Sequence, residues 1–219
     1  MSPSNKHILV TDFDGTMTTY DFFTLARRDL PSAADHDHWA DYVDGHITHF
    51  EALQRIFASI RTDWAGVEGV LERMELDPEL PSAVKRLRDA GWDIRVASAG
   101  CEWYIRRLLD KAGVQLEVYA NPGVFAPETG LTLSLPVDSP YFLHETGIDK
   151  SALVRAALKR DPQAVFAGDG RPDLAPSNLV LPSRRFACGW LAQHLEQTGE
   201  AYHPFETWSQ IADQLLEEF

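Results

Sequence analysis

The chain has 219 residues, 44% of them hydrophobic and 24% charged, which is typical of a globular protein and excludes wholesale disorder. This length is enough for one sizeable domain, or for a core domain with a small inserted one. Asp and Glu outnumber Lys and Arg by 33 to 20, which gives a net charge of −13. Because such a surface repels nucleic acid and anionic membranes, we expect neither as a partner.

Cysteine usage and the apolar runs indicate a cytoplasmic protein. The chain has two cysteines, Cys101 and Cys188, which are too few for a disulfide framework and favour a reducing compartment. The apolar run before Asp12 is too short for a signal peptide, and no run approaches the length of a membrane span. The sequence leaves open whether the protein is a monomer or a homodimer.

The N-terminal third combines one strand with a helical region. Residues 7–10 are rich in β-formers and predict a buried strand that leads into Asp12. Residues 21–74 show a helical pattern, in which Thr48 and Glu51 form a capping box that opens one helix.

Beyond residue 81, helices and strands alternate regularly. We predict strands at 93–97, 116–120, 164–167, 179–181 and 186–187, and a hairpin from 124–125 and 131–135. We predict helices at 83–90, 101–112, 149–160, 190–197 and 208–218.

This alternation predicts an α/β protein with a Rossmann-like, doubly wound parallel sheet. The helical region interrupts the alternation directly after the first strand, so we interpret it as an inserted cap. The predicted boundaries are 1–19 and 78–219 for the core domain and 20–77 for the helical cap domain.

Four groups of polar residues lie where a predicted strand ends or a predicted helix begins. They are Asp12-Phe13-Asp14-Gly15-Thr16, then Ser98-Ala99-Gly100 opening a helix, then Lys150, and then Gly168-Asp169-Gly170-Arg171-Pro172-Asp173. Because the carboxyl ends of parallel strands meet at one edge, all four groups should converge there.

The residue types in these groups fit phosphate chemistry. Asp12, Asp169 and Asp173 supply the hard oxygen ligands that suit Mg²⁺. Lys150 adds a point charge that can neutralise both Asp12 and a phosphate group. The Ser98 hydroxyl and the free N–H groups of Ala99 and Gly100 at a helix start can bind phosphate oxygens.

Asp14 is placed for a different task from the three metal-binding carboxylates. Two residues beyond Asp12, it can protonate a leaving alcohol and then activate water. Gly15 allows the chain to turn sharply, and Thr16 can orient the neighbouring groups, including bound phosphate, through hydrogen bonds.

The order of these motifs resembles that of the haloacid dehalogenase superfamily, and the resemblance extends from Asp12 to Asp173. The resemblance implies that Asp12 is a nucleophile that forms an aspartyl-phosphate and that Asp14 is the general acid and base. It also implies that Mg²⁺ is held by Asp12, the main-chain carbonyl of Asp14, and Asp169, with support from Asp173. Ser98 and Lys150 would bind the phosphoryl group.

Within the superfamily, the position of the cap is similar to the phosphoserine-phosphatase-like branch, in which an acidic residue at the place of Asp21 reaches toward the substrate. The segment 202–207 is similar to the tail of methionine-salvage phosphatases that act on 2-hydroxy-3-keto-5-methylthiopentenyl-1-phosphate, although the cysteine-rich stretch of those enzymes is missing at 138–148. The expected substrate is therefore a small phosphorylated metabolite: this ester, or phosphoserine, phosphocholine or phosphoethanolamine.

Three other functions use a similar sequence pattern. A haloacid dehalogenase needs no second Asp, so Asp14 argues against it. A phosphotransferase uses the same core, and a catalytically silent binding module is disfavoured because no motif residue is missing.

Two further groups of residues have ordinary structural interpretations. Phe22, Phe23, Trp39 and Tyr42 can line a substrate pocket, but a role in the core of the cap is favoured. His36 and His38 lack a third ligand at metal-site spacing, which argues against a transition-metal site.

Overall fold

A six-stranded parallel sheet forms the centre of the computed structural model, which describes residues 7–218. The strands lie in the order β10-β9-β8-β1-β2-β3. Their bounds are His7–Thr11 for β1, Trp92–Cys101 for β2, Glu117–Asn121 for β3, Val165–Gly168 for β8, Arg185–Ala187 for β9 and His203–Pro204 for β10. The predicted α/β fold with a parallel sheet is thus confirmed.

Two antiparallel hairpins stand apart from this sheet. One joins β4, Gly123–Ala126, to β5, Gly130–Leu133, and confirms the predicted hairpin. The other joins β6, Phe142–Leu143, to β7, Gly147–Ile148.

Helices cover both faces of the sheet. Their bounds are Phe22–Asp29 for α1, His38–Val43 for α2, His49–Ala58 for α3, Trp64–Arg73 for α4, Leu80–Asp89 for α5, Glu102–Lys111 for α6, Lys150–Arg160 for α7, Leu174–Ser177 for α8, Gly189–Thr198 for α9 and Trp208–Glu218 for α10. Among the described residues, no helix has the length and apolar character needed to cross a bilayer.

The alternation of side chains along β1 explains why both faces need helices. Leu9 packs into the cluster that includes residues of α5, α6 and α10. Ile8 and Val10 point to the opposite face and pack with Leu153 of α7. With apolar residues on both faces, β1 is stable only as an inner strand, and it lies between β2 and β8.

Helices α1 to α4 lie between β1 and α5, where the inserted cap was predicted. The chain enters and leaves this region through two adjacent segments, linked by a bridge between Thr18 and Leu76 and by a hydrogen bond from Asp77 N to Met17 O at 3.0 Å. One hydrophobic cluster nevertheless includes residues from both the helical region and the sheet. The division into a core domain and a cap domain at 19/20 and 77/78 therefore stays a prediction. Residues 1–6 of the predicted core domain lie outside the described part of the chain.

Two local predictions are wrong. Residues 179–181 are not a strand, because their backbone groups make turn bonds: Leu179 N donates to Pro176 O at 3.1 Å, and Leu181 O accepts from Arg184 N at 2.8 Å. Gly100 does not open a helix, because β2 continues to Cys101 with an irregular register and α6 begins at Glu102.

Candidate active site

The nucleophile predicted from the sequence lies directly beyond the carboxyl end of β1. Thr11 is the last residue of the strand, and the backbone N–H of Asp12 still donates to Ala167 O of β8 at 2.9 Å. The side chain is held as well, since Asp12 Oδ1 accepts from Phe13 N at 2.7 Å. Strand pairing therefore fixes both the backbone and the direction of this carboxylate.

Lys150 is a buried cation between two carboxylates. It is the first residue of α7, and its Nζ lies 2.7 Å from Asp12 Oδ2 and 2.7 Å from Asp173 Oδ1. Burial lowers the pKa of Lys150, but the charges of Asp12 and Asp173 outweigh this effect and hold the pKa above its usual value. The ammonium group therefore stays charged beside Asp12.

Three carboxylates form a compact oxygen cluster at the same edge of the sheet. Ligand atoms of Asp12, Asp169 and Asp173 lie within 4.8 Å of one another. Burial and the charge of Asp173 raise the pKa of Asp12, and the same two causes raise the pKa of Asp169 to about 7. A hard divalent cation would relieve this repulsion, so the donor set fits Mg²⁺.

Asp173 is also tied to the loop that carries Asp169. Its Oδ2 accepts from Asp169 N at 3.2 Å and from Gly170 N at 3.0 Å. Because its Oδ1 accepts from Lys150, Asp173 joins the loop after β8 to the start of α7.

Asp14 is held by hydrogen bonds from α1 and α6. Its Oδ1 accepts from Phe22 N at 3.1 Å, and its Oδ2 accepts from the Tyr104 hydroxyl at 2.7 Å. Burial raises the pKa of Asp14 to about 6 although both hydrogen bonds lower it. Near neutral pH this carboxyl can therefore hold or release a proton.

The remaining predicted site residues join these groups. Thr16 Oγ1 donates to Asp169 Oδ1 at 3.4 Å, so it helps to orient one member of the three-carboxylate cluster. Ser98 Oγ accepts from Gly100 N at 2.9 Å and lies 3.5 Å from Asp14 Oδ2. Ser98, Ala99 and Gly100 all line the pocket that contains Asp12, and their role in phosphate binding stays a prediction.

This pocket has a volume of about 260 Å³ and extends from the carboxylates to the helical region. Asp21 lines it, and its Oδ1 also caps α1 by accepting from Thr24 N at 2.7 Å. Of the four aromatic residues considered above, Phe23 and Trp39 line the pocket, whereas Phe22 is fully buried in the core.

Several pocket residues were not identified from the sequence, among them Tyr104 and His49. Tyr104 lies on α6 and reaches Asp14, and His49 is the first residue of α3. No motif marks either one, because each enters the site only through tertiary packing. The one available signal was the position of Tyr104 in the helix that follows Gly100.

His36 and His38 both lie near Asp41, which the sequence pattern did not indicate. Asp41 Oδ2 lies 2.8 Å from His36 Nε2 and 3.7 Å from His38 Nδ1. The contact between His36 and Asp41 is an ordinary hydrogen bond near the exposed start of α2, and it raises the pKa of His36.

Residues 9–175 match the family model described as haloacid dehalogenase-like hydrolase. The chain is 23% identical to a 2-hydroxy-3-keto-5-methylthiopentenyl-1-phosphate phosphatase from Exiguobacterium sibiricum over 216 residues, which cover 94% of this chain and 95% of that protein.

Solved structures share the fold. A substrate-bound phosphoserine phosphatase superposes with a TM-score of 0.65 at 16% identity and covers 98% of both chains. A haloacid dehalogenase family hydrolase from Salmonella enterica serovar Typhi gives a TM-score of 0.64 at 18% identity, covering 92% of this chain and 67% of that one.

The close approach of Asp169 to Gly15 gives a test of whether the three-carboxylate cluster binds a metal. Gly15 has φ +68°, and a Cβ added there would lie 2.4 Å from Asp169 Oδ2. Gly15→Ala should displace this carboxylate and weaken Mg²⁺ binding about tenfold or more, measured by titration calorimetry.

Gly113→Ala is the matched control, since Gly113 has φ +69° and nothing within 4 Å of the added Cβ. It should lower the free energy of unfolding by about 1–2 kcal/mol without changing Mg²⁺ affinity. Equal Mg²⁺ affinity in the two variants would contradict the assignment of Asp169 as a ligand.

Proposed function

Because this chain belongs to the haloacid dehalogenase-like hydrolases, we propose that it hydrolyses a small phosphorylated metabolite through an aspartyl-phosphate on Asp12. One observation carries this proposal. The Asp12 carboxylate is held at the end of β1 by Phe13 N and by Lys150 Nζ, each at 2.7 Å, and it lines a pocket beside Asp169.

The first chemical step forms the covalent intermediate. A carboxylate oxygen of Asp12 attacks phosphorus, and the bond between phosphorus and the oxygen of the substrate breaks. The bonding electrons pass to that oxygen, which takes a proton from Asp14. Lys150 balances charge on Asp12 and on the phosphoryl oxygens throughout this transfer.

The second step releases phosphate. Water attacks the phosphorus and gives a proton to Asp14, which is now ionised, while the bond to Asp12 breaks. The pKa of Asp14, about 6, supports both roles because the group can be protonated in the first step and accept a proton in the second.

Asp12, Asp169 and Asp173 would hold Mg²⁺, together with the main-chain carbonyl of Asp14 as the resemblance implies. The bound ion supplies positive charge that offsets the repulsion between the phosphate and the nucleophile. The chain itself orients the ligands: Thr16 donates to Asp169, and Lys150 together with the backbone of 169–170 fixes Asp173.

The relative from Exiguobacterium sibiricum supports 2-hydroxy-3-keto-5-methylthiopentenyl-1-phosphate as the first substrate to test. Phosphoserine, phosphocholine and phosphoethanolamine are the alternatives, and transfer to an acceptor other than water uses the same intermediate. Asp21 lines the pocket at the entrance to α1, so it would face the leaving part of the substrate.

Replacing the nucleophile tests the mechanism directly. Asp12→Asn keeps the size of the side chain but removes its charge, and should lower turnover of p-nitrophenyl phosphate by about 10³-fold or more. Beryllium fluoride should bind to the wild type at Asp12, as seen by ¹⁹F NMR, and should not bind to the variant.

A buried carboxylate away from the site provides the control. Asp161 is 6% exposed, against 7% for Asp12, but it accepts from Ile8 N near the other end of β1. Asp161→Asn should alter stability and leave turnover within about threefold of wild type per correctly folded molecule. Near-normal turnover in Asp12→Asn would disprove the covalent mechanism.

Metal dependence can be followed without an activity assay. Mg²⁺ at a hundred times its dissociation constant should stabilise the fold by about 2.7 kcal/mol, seen as a higher melting temperature. Because protons compete for Asp169, whose pKa is about 7, Mg²⁺ affinity should fall as the pH is lowered from 8 to 6.

The metal prediction has two controls. Asp169→Asn should remove the Mg²⁺-dependent stabilisation, and EDTA should abolish turnover until Mg²⁺ is restored. Retention of zinc after dialysis, with no response to Mg²⁺, would contradict an all-oxygen site.

The role of Asp14 predicts a dependence on the leaving group. Asp14→Asn should slow phosphoryl transfer from an alkyl phosphate by about 10²-fold or more, with a smaller loss for p-nitrophenyl phosphate, whose leaving group scarcely needs a proton. Tyr104→Phe removes the hydrogen bond to Asp14 Oδ2 and should give the same pattern at smaller amplitude. The release of leaving group in a rapid-mixing experiment measures this step, and equal losses on both esters would exclude proton donation by Asp14.

A further inference from the structure

A second group of metal-binding residue types lies in the helical region, separate from the three-carboxylate cluster. It consists of His36, which precedes α2, His38, which is the first residue of that helix, and Asp41, which lies one turn further along it. One ligand atom from each residue lies within 4.8 Å of the others. The sequence offered two histidines without a third ligand, and the helical turn supplies that ligand because it brings Asp41 beside both rings.

The separations between these side chains suit ligands around a single ion. Asp41 Oδ2 lies 2.8 Å from His36 Nε2 and 3.7 Å from His38 Nδ1. A tetrahedral zinc site with bonds of 2.0–2.1 Å places its ligand atoms about 3.3 Å apart, which is between these two distances. Small rotations of the three side chains would therefore bring all three ligand atoms onto one ion.

The Nδ1 atom of His38 is the member of this group that hydrogen bonding leaves unexplained. It is buried, and among the described residues it has no hydrogen-bond partner, since 3.7 Å to Asp41 is too long for one. Leaving a buried polar atom unpaired destabilises the fold. An ion bound between His38 and Asp41 would remove this cost.

The ligand types select the class of metal. Two imidazoles and one carboxylate suit Zn²⁺ and its late transition-metal neighbours, whereas Mg²⁺ prefers oxygen ligands alone. His36 and His38 line a second pocket, of about 370 Å³, so an ion can enter from solvent and a water molecule can take the fourth position. Asp35 and Asp37 line the same pocket and add negative charge that attracts a divalent cation.

Helix α2 is the element that such an ion would stabilise. All six of its residues, 38–43, are at least partly exposed, so burial holds this short helix only weakly. Trp39 lies between two of the ligands in the chain, lines the active-site pocket and packs on Phe23 with ring centroids 4.4 Å apart. An ion bound at 36–41 would thus fix one wall of that pocket without contacting the substrate.

We propose that His36, His38 and Asp41 bind Zn²⁺, or a late transition-metal ion of similar size, and that this ion fixes α2 at the edge of the active-site pocket. The ligand atoms are His36 Nε2, His38 Nδ1 and Asp41 Oδ2, with water as the fourth ligand. Both imidazoles bind as neutral rings, so the proton that His36 Nε2 shares with Asp41 is released to solvent when the ion enters. The site is independent of the proposed phosphatase chemistry.

Binding is measured on protein without a histidine tag, which would itself bind the metal. Titration calorimetry with Zn²⁺, in the presence of saturating Mg²⁺, should show binding at one site per chain. His38→Ala should weaken this binding about tenfold or more, because even residues that merely support a metal ligand contribute about 10- to 100-fold in affinity. Zn²⁺ that only displaced Mg²⁺ from the three-carboxylate cluster would bind His38→Ala as tightly as the wild type.

Co²⁺ reports the geometry of the site. This ion absorbs visible light strongly in a four-coordinate site and weakly in an octahedral oxygen site. The wild type should therefore give an intense visible spectrum with Co²⁺, and His38→Ala should lose it. A weak spectrum that is the same in both proteins would contradict coordination by the histidines.

The same segment offers matched controls. His46→Ala removes an exposed histidine, and Asp44→Asn removes an exposed carboxylate at the end of α2. Both should leave Zn²⁺ affinity unchanged, whereas Asp41→Asn should weaken it about tenfold or more. Zn²⁺ should raise the melting temperature of the wild type and of both controls, and should not raise that of His38→Ala.

Equal Zn²⁺ affinity in the wild type and in His38→Ala would overturn the proposal and leave a hydrogen-bonded group only. Loss of Zn²⁺ binding in Asp169→Asn, with none in His38→Ala, would overturn it as well, because the ion would then belong to the three-carboxylate cluster. His38→Ala should retain Mg²⁺-dependent turnover of p-nitrophenyl phosphate. A chain that hydrolyses no ester but binds Zn²⁺ through His38 would disprove the proposed function alone.

Discussion

The arrangement of the site depends on one buried ammonium group among carboxylates. Lys150 lies between Asp12 and Asp173, and Asp169 completes a cluster whose ligand atoms lie within 4.8 Å of one another. With all three carboxylates ionised, one cation leaves an excess of two negative charges. A divalent ion matches this excess, and without one, burial and the charge of Asp173 raise the pKa values of Asp12 and Asp169.

The sheet explains why the centre of the site could be predicted from the sequence. Asp12 follows β1 and Asp169 follows β8, and the two strands are parallel neighbours. Residues after adjacent parallel strands must meet at one edge, so chain order and strand type were sufficient to bring these carboxylates together. Lys150 was predictable for a similar reason, because Asp149 caps the helix that it begins.

The pocket residues His49 and Tyr104 could not be predicted in this way. His49 opens a capping-box helix and Tyr104 has the spacing of a core residue, so both have sufficient local explanations. Their place in the pocket depends on packing between the helical region and the rest of the chain, such as the stacking of Phe22 of α1 on Tyr104 of α6, with ring centroids 4.6 Å apart. The wrong strand at 179–181 has a related cause: a short apolar run predicted β-structure, but only Val180 is buried and the flanking leucines are exposed.

The paired segments at Thr18 and Leu76 have a consequence for how such enzymes diversify. An insertion whose two ends lie side by side imposes little loop-closure entropy on the sheet, whatever its length. Natural selection can therefore replace or enlarge the helices between them while the strand order, and with it the three-carboxylate cluster, stays unchanged. Any exchanged insertion must still fit the surface of the β4–β5 hairpin, where Gln54 Nε2 donates to Leu133 O at 2.9 Å. The sequences of that hairpin and of helices α1 to α4 are thus expected to change together when a descendant of this chain acquires a new substrate.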